Sequence, residues 1–182
     1  MEDVSTLYQP AGTGCHPNSV LYHPEDESLT ISDREPNLYV KVSKAGELEW
    51  QFGGENPKGP HIPATWSVNH GHQFLPDNHF LFFNNNGNEP GFGAGTSHAV
   101  EYALDLQAMT ATEVFRYVSD DGLNSGSLGD VQRLPNGNTL VTYSNTGVIH
   151  EVDPEGELVQ VFSTGVMGYA MHRESLYGPP PK

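Results

Sequence analysis

The chain has 182 residues, enough for one domain, and its 36% hydrophobic content and 20 glycines are typical of a globular protein. Only 8 Lys and Arg stand against 23 Asp and Glu, so the formal net charge of −15 argues against nucleic acid or an anionic membrane surface as a partner. The single cysteine, Cys15, excludes an intrachain disulfide.

The chain begins without a recognisable targeting segment. Residues 1–4 lack the basic start and apolar stretch of a signal peptide, so nothing in this chain directs secretion. No apolar run anywhere approaches the roughly 20 residues that cross a bilayer, and no membrane-spanning segment is expected.

Short β-rich runs broken by Gly, Pro, Asn and Asp recur along the chain, which predicts an all-β fold. The first unit begins with a strand that ends in a proline turn at residues 22–26. A second strand over 29–32 and a third over 39–42 follow. A hairpin then turns at Gly46 and leads to an outer strand.

The same order of elements returns twice. The second unit has its proline turn at 74–78, an apolar strand over 80–83, a Gly/Asn-rich insertion over 84–97 predicted as a surface loop, and a third strand over 100–104. The third unit has its turn at 133–138 and strands over 139–143 and 148–152. Residues 152–162 match residues 42–52 without a gap, and Gly156 stands at the position of Gly46.

Each unit has the strands of a propeller blade, and the spacing from Pro24 to Pro76 to Pro135 fits blades of about 40–50 residues plus loops. We predict one domain over residues 1–182, with blades over 12–54, 64–118 and 126–163 and an extra strand over 166–177. Closed propellers have roughly four to eight blades. We therefore expect a β-propeller arc of about three to four four-stranded blades, half of a six-bladed ring. Either a second copy or a missing half outside this chain closes it, unless the blades stack differently.

Large apolar residues recur on the outer strands. They are predicted to pack between neighbouring sheets, and they are Trp50, Phe52, Phe115, Val161 and Phe162. Another tryptophan, Trp66, precedes the second inner strand, where it either stacks on an aromatic ligand or belongs to the core.

Several segments resemble, in order, consecutive strands of the arylsulfotransferase family. They are CHPNSV at 15–20, LTISDR at 29–34, GELEWQFGG at 46–54, HGHQFLPD at 70–77 with FFNN at 82–85, and SHAVEY at 97–102. The resemblance covers roughly residues 12–178. It implies a six-bladed propeller that moves a sulfuryl group from an aryl sulfate to a phenol through a sulfated histidine. It also implies a periplasmic or extracellular location.

The resemblance implies neither a nucleotide donor nor any other cofactor, and the chain has no phosphate-binding Gly-x-x-x-x-Gly-Lys-Ser/Thr motif. In this chemistry a neutral imidazole attacks sulfur, and further His, Arg and Asn groups stabilise the sulfuryl oxygens. Of the catalytic candidates, His16 matches the first family histidine, and His70 or His72 the second, with the spacing to Pro76 favouring His70. His150 aligns with the nucleophilic histidine across a two-residue gap, and is otherwise an ordinary third-strand residue.

Three residues are predicted to bind substrate: Asn18, His98 and Trp66. Asn18 and His70 both lie six residues before a turn proline, which predicts that they are neighbours on the channel. Because His70 and His72 would share one face of a strand, they could begin a metal site with His16 or His79. No carboxylate or cysteine follows at a recognisable ligand spacing, so no metal is predicted.

The chain departs from the family pattern at several positions. His98 stands where the family has arginine, residues 84–87 lack the family aspartate, and Gly129 occupies a histidine position. Two functions follow as hypotheses. One is a sulfotransferase, independent of a nucleotide sulfate donor, that acts on an aromatic sulfate and a phenol. The other is a non-catalytic propeller module that binds a ligand or a protein partner.

Overall fold

The computed structural model describes residues 7–8, 14–85 and 95–173 of the chain. Three sheets follow one another along these ranges. Sheet one is built from β1 (Pro17–His23), β2 (Ser28–Asp33), β3 (Leu38–Val42) and β4 (Leu48–Gly53). A two-residue strand, β5 (His61–Ile62), adds to β4 in parallel.

Sheet two contains β6 (Asn69–Leu75), β7 (His79–Asn84), β8 (His98–Asp105) and β9 (Thr110–Val118). Sheet three contains β10 (Asp130–Arg133), β11 (Thr139–Tyr143), β12 (Val148–Val152) and β13 (Leu158–Ser163). In each sheet the spatial order of strands is the chain order, as in a propeller blade. The predicted all-β propeller arc is therefore confirmed, and the described sheets do not close into a ring.

The hairpins between third and outer strands share one geometry. Each carries a β-bulge at the same point of the register, after Lys41, Glu101 and Glu151. The first and third hairpins turn at Gly46 and Gly156, whose φ angles of 82° and 87° favour glycine because it lacks a Cβ. Corresponding residues of sheets one and three can therefore be compared directly.

Sheet two packs against both of its neighbours because side chains along β7 alternate between its faces. One face packs against sheet one in a largely aromatic core that includes Tyr39, Trp50, Phe52, Trp66, Phe80 and Phe82. The opposite face packs against sheet three in a core that includes Leu81, Phe83, Tyr117, Val141 and Tyr143.

The two ends of the arc differ. Tyr8 and Leu7 pack over the far side of sheet one, on a cluster that contains Leu38 and Val40. On sheet three, Val161 and Phe162 are 47% and 42% exposed, although Phe52, at the register position of Phe162, is fully buried. The prediction that Val161 and Phe162 pack between sheets is therefore wrong for the described residues, because no fourth sheet follows β13.

The segment after β13 forms no strand over residues 164–173, and residues 174–177 of the expected extra strand lie outside the described residues. Its backbone bonds instead to the end of sheet three. Met167 N–H donates to Ser144 O at 3.2 Å, and His172 N–H donates to Gln132 Oε1 at 2.7 Å. The segment thus leads from the outer strand to the inner strand β10.

Most of the predicted surface loop lies outside the described residues, because residues 86–94 are not among them. In the ranges that are described, no helix has the length and apolar character needed to cross a membrane.

Candidate functional site

The structure brings His16, Arg34 and His70 together beside the inner strands. His16 lies just before β1, Arg34 begins the turn after β2, and His70 lies on β6. His16 and Arg34 both act on His70 electrostatically, and Arg34 N–H donates to His16 O at 3.1 Å. With Asn85, which contacts His70, these residues are called the histidine–arginine site below.

The ring of His70 is held in one tautomer by Asn85. Asn85 Nδ2 donates to the carbonyl oxygens of Ser125 at 2.6 Å and Leu128 at 2.5 Å, so its Oδ1 must face the histidine. His70 Nδ1 lies 2.5 Å from that oxygen and therefore carries the proton. The lone pair is left on Nε2, where Leu128 N–H donates to it at 3.2 Å.

The protonation state of His70 suits a nucleophile. Burial lowers its pKa, the Asn85 hydrogen bond acts in the opposite sense, and the charges of Arg34 and His16 lower it further. The ring is therefore neutral at neutral pH. Leu128, which faces Nε2, has a φ of 58°, a left-handed conformation that is unusual for leucine and is found at functional sites under strain.

The charged guanidinium of Arg34 has few hydrogen-bond acceptors around it among the described residues. Its Nε is buried and has no hydrogen-bond partner among the described residues, and its Nη1 lies 3.7 Å from Glu35 Oε1. The turn is fixed by the buried Asp33, which accepts from His16 N–H at 2.7 Å and from Tyr8 O–H at 3.0 Å. A guanidinium held in this way is suited to the oxygens of an oxyanion.

Asn18 and Trp66 adjoin the site through Asn69. Asn18 Nδ2 donates to Asn69 O at 2.7 Å, and its buried Oδ1 has no partner in the described ranges. Asn18, on β1, therefore contacts the residue that precedes His70 on β6. Trp66 Nε1 donates to Asn69 Oδ1 at 2.9 Å, and its ring is 5% exposed within the core between sheets one and two. Of the two interpretations of Trp66, the structure places it in the core.

His72 lies apart from the site although it is two residues from His70. Its Nδ1 is 2.8 Å from Ser19 Oγ, its Nε2 is 2.9 Å from Thr30 Oγ1, and its ring stacks on Phe80. Burial lowers the pKa of His72 to about 3. The expectation that both imidazoles share one face is wrong, because a β-bulge between Asn69 and His72 changes the alternation of β6.

His150 and His98 are also buried away from this site. His150 is on β12 between sheets two and three, where Tyr117 Oη lies 2.7 Å from its Nδ1. His98 is on β8, where Arg116 Nη1 donates to its Nε2 at 2.7 Å. A guanidinium therefore stands beside the position at which the family arginine is absent, supplied by β9.

An inner groove of about 350 Å³ runs along β1, β6 and β10, and on β6 it is lined by Gly71, the neighbour of His70, and by His72. Val20, Leu21, Val131, Tyr169 and Met171 are among the residues that line it, so it is largely apolar. Asn18 lines it as well, and its role in binding substrate stays a prediction. Among the described residues no three His, Cys, Asp or Glu side chains are grouped to hold a metal ion.

Sequence reasoning did not identify Arg34 and Asn85 as site residues. Each stands in a segment that carried the family resemblance, at 29–34 and 82–85, and that was the available signal. Their roles depend on contacts with residues distant in sequence, such as Leu128 for Asn85, which a single sequence does not specify.

Comparison with known proteins agrees with this fold. A family model described as "Arylsulfotransferase (ASST)" matches residues 4–165. No curated protein matches the chain. Similar solved structures include a Bacteroides caccae protein of unknown function, with 16% identity over 85% of this chain and 48% of that chain, at a TM-score of 0.54.

Two further similar structures differ in their named functions. Virginiamycin B lyase from Staphylococcus aureus is 14% identical over 86% of this chain and 44% of its own, at a TM-score of 0.52. The β-propeller domain of Cps50 from Myceliophteria thermophila is 9% identical over 85% and 43%, at a TM-score of 0.53. At these identities they indicate the fold alone. The chain spans about half the length of these propellers.

Proposed function

Because the chain belongs to the arylsulfotransferase family, we propose that it transfers a sulfuryl group from an aryl sulfate to a phenol, with His70 as the covalent acceptor. The observation that carries this proposal is the histidine–arginine site. It combines a neutral imidazole of fixed tautomer with a guanidinium whose buried Nε has no partner in the described residues.

In the first half of the reaction, His70 Nε2 attacks sulfur and the S–O bond to the aryl group breaks. The aryl oxygen leaves with the electron pair as a phenolate, and an N-sulfated imidazolium remains. Arg34 and His16 face the sulfuryl oxygens and offset their negative charge. The Leu128 amide, which donates to Nε2, has to move off the lone pair before the attack.

In the second half, an acceptor phenol attacks the sulfur of the sulfated His70. The new S–O bond forms as the N–S bond breaks, and the phenol loses its proton. His70 returns to its neutral state. Nothing in this cycle needs a nucleotide donor.

The experiment is release of p-nitrophenolate from p-nitrophenyl sulfate with a phenol acceptor, comparing His70→Asn with His150→Asn. We expect His70→Asn to abolish release and His150→Asn to retain at least half of it, because His150 is buried against Tyr117 between sheets two and three. Loss in His150→Asn alone, or no release by the unmodified protein, would contradict the proposal.

The second candidate is a ligand-binding module without catalysis. It is favoured by Gly129, which stands at a family histidine position, and by the Leu128 amide that already occupies the lone pair of His70. Such a module would bind an aryl sulfate at Arg34 without releasing phenolate. Binding of p-nitrophenyl sulfate in a calorimetric titration, without release of p-nitrophenolate, would indicate the module, and binding with release would indicate the transferase.

We also propose that a second copy of this chain covers the open face of sheet three. Phe162 is 42% exposed where Phe52, its counterpart in sheet one, is fully buried, and propellers of this fold are about twice as long. A head-to-tail ring of two copies requires Leu7 and Tyr8 to leave the far side of sheet one. Each arc would then bury the apolar face that the other leaves open.

Light scattering tests this association. We expect a dimer for the unmodified chain and a monomer for Phe162→Glu, because a carboxylate in a sheet-to-sheet contact is costly to bury. Val114→Glu is the matched control, since Val114 is 50% exposed on β9 of sheet two, away from the open face. A monomer at all concentrations of the unmodified chain would contradict the proposal.

A further inference from the structure

Asp130 lines the inner groove and is not part of the histidine–arginine site. Asp130 begins β10, and its carboxylate lies directly over Gly71 of β6. A Cβ on Gly71 would lie 1.9 Å from Asp130 Oδ1 and 2.8 Å from its Cα, so only glycine at residue 71 leaves space for the acid. Gly71 separates His70 from His72, so the carboxylate lies beside the strand that carries the proposed sulfuryl acceptor.

Among the described residues, one oxygen of this carboxylate accepts a hydrogen bond and the other does not. Val131 N–H donates to Oδ1 at 3.0 Å, and no hydrogen bond reaches Oδ2 from any residue in the described ranges. Burial raises the pKa of Asp130 to about 7. A carboxylate in an apolar groove with one unused oxygen is arranged to exchange a proton with a bound ligand.

The groove beside Asp130 fits an aromatic alcohol. Its walls are mainly apolar. Burial raises the pKa of the Tyr169 phenol, and the charge of Asp130 adds to that shift, so the two groups are close. The groove therefore already holds a phenol side chain near this carboxylate. A cavity of about 350 Å³ is in the usual range for small-molecule sites.

We propose that the inner groove binds the acceptor phenol and that Asp130 Oδ2 accepts its proton during transfer, an inference that rests on the proposed function. The phenol O–H bond breaks as its oxygen forms the S–O bond, and the N–S bond to His70 returns its electron pair to Nε2. The proton moves to Asp130 and then to water, so each cycle restores the carboxylate. No other co-reactant is needed.

The test separates the two half-reactions. The sulfated protein is formed with p-nitrophenyl sulfate, freed of excess donor, and mixed with phenol. For Asp130→Asn we expect the first half to stay within about twofold, while the second half slows by about 10²-fold or more at pH 8. An acceptor that is already ionised at that pH should restore the rate. Glu155→Gln, an exposed acid in the turn after β12, is the matched control.

The pH profile gives a readout that a structural role would not change. The second half should lose a limb with a midpoint near 7 in Asp130→Asn. Other titratable groups near Asp130 are His72 on β6, Tyr39 on β3 and Tyr169 in the final segment, and His70 precedes Gly71, which Asp130 contacts. An unchanged second half would overturn the role of Asp130 while leaving His70 as the acceptor. Failure to form the sulfated protein would instead overturn the proposed function.

A binding measurement tests Asp130 even without turnover. At pH 8 the unmodified chain should prefer 2-naphthol over its methyl ether by about tenfold, because only the alcohol donates a hydrogen bond to Oδ2. In Asp130→Ala this preference should disappear. Equal affinity of the unmodified chain for the two ligands would overturn the proposal irrespective of catalysis.

Discussion

Arg34→Ala is expected to lower p-nitrophenolate release by about 10²–10³-fold, the range for removing one donor to a developing oxyanion. The Arg34 side chain is 29% exposed, so its guanidinium is accessible to the oxygens of an aryl sulfate. The activity of Arg34→Lys should lie between those of the unmodified chain and Arg34→Ala, because a lysine keeps the charge and loses the planar fork of donors.

A second measurement distinguishes loss of anion binding from a folding defect. Inorganic sulfate should raise the thermal midpoint of the unmodified chain and leave that of Arg34→Ala unchanged, since binding to the native state alone stabilises it. Arg173→Ala is the matched control because Arg173 is exposed in the segment after β13. Activity of Arg34→Ala within threefold of the unmodified chain would exclude Arg34 from the site.

His72→Gln is expected to change the pH dependence of stability more than any other histidine substitution. The folded state keeps His72 neutral down to a pKa of about 3, whereas the unfolded chain protonates it near 6.5. The unfolded state therefore binds more protons between these values. The contribution of His72 is fully present above pH 6.5 and is lost by about 1.4 kcal/mol for each pH unit below it.

Asp130 acts in the opposite sense over nearly the same range. Its pKa is about 7 in the folded state and 3.8 in the unfolded chain. Between these values the folded chain binds the extra proton, so stability rises as the pH falls from 7 to 4. The two contributions offset each other in the unmodified chain. His72→Gln should therefore lose less stability on acidification than the unmodified chain, and Asp130→Asn should lose more.

Urea unfolding at pH 4.5, 5.5 and 6.5 measures these slopes, and each variant is compared with itself across pH. Burial also lowers the pKa values of His23, His70 and His150, so they add to the direction set by His72. A slope for His72→Gln equal to that of the unmodified chain would show that His72 titrates normally in the folded state.

The fold was predictable from local chemistry. Proline turns and the glycines at 46 and 156 define where strands end and hairpins reverse. Each of these turns is encoded by a few consecutive residues. The exposure of Phe162 could not be read from its own blade, because the burial of an outer-strand aromatic depends on whether another sheet follows.

The site was predictable only in part. Asn18 lies beside the strand of His70, as their equal distances from the turn prolines indicated, since inner strands of adjacent blades run side by side. His16, which the family resemblance suggested, is also near His70. The separation of His70 from His72 could not be foreseen, because it results from a bulge within β6. Asn85 acts through carbonyls some 40 residues away, and no local pattern encodes that contact.

The most direct test of the central claim is the mass of the protein after incubation with p-nitrophenyl sulfate in the absence of an acceptor. A sulfuryl-transferring site at His70 predicts a gain of one SO₃ per chain, located on His70 by fragmentation and lost when phenol is added. A protein of unchanged mass, or a modification on His150 instead, would contradict it.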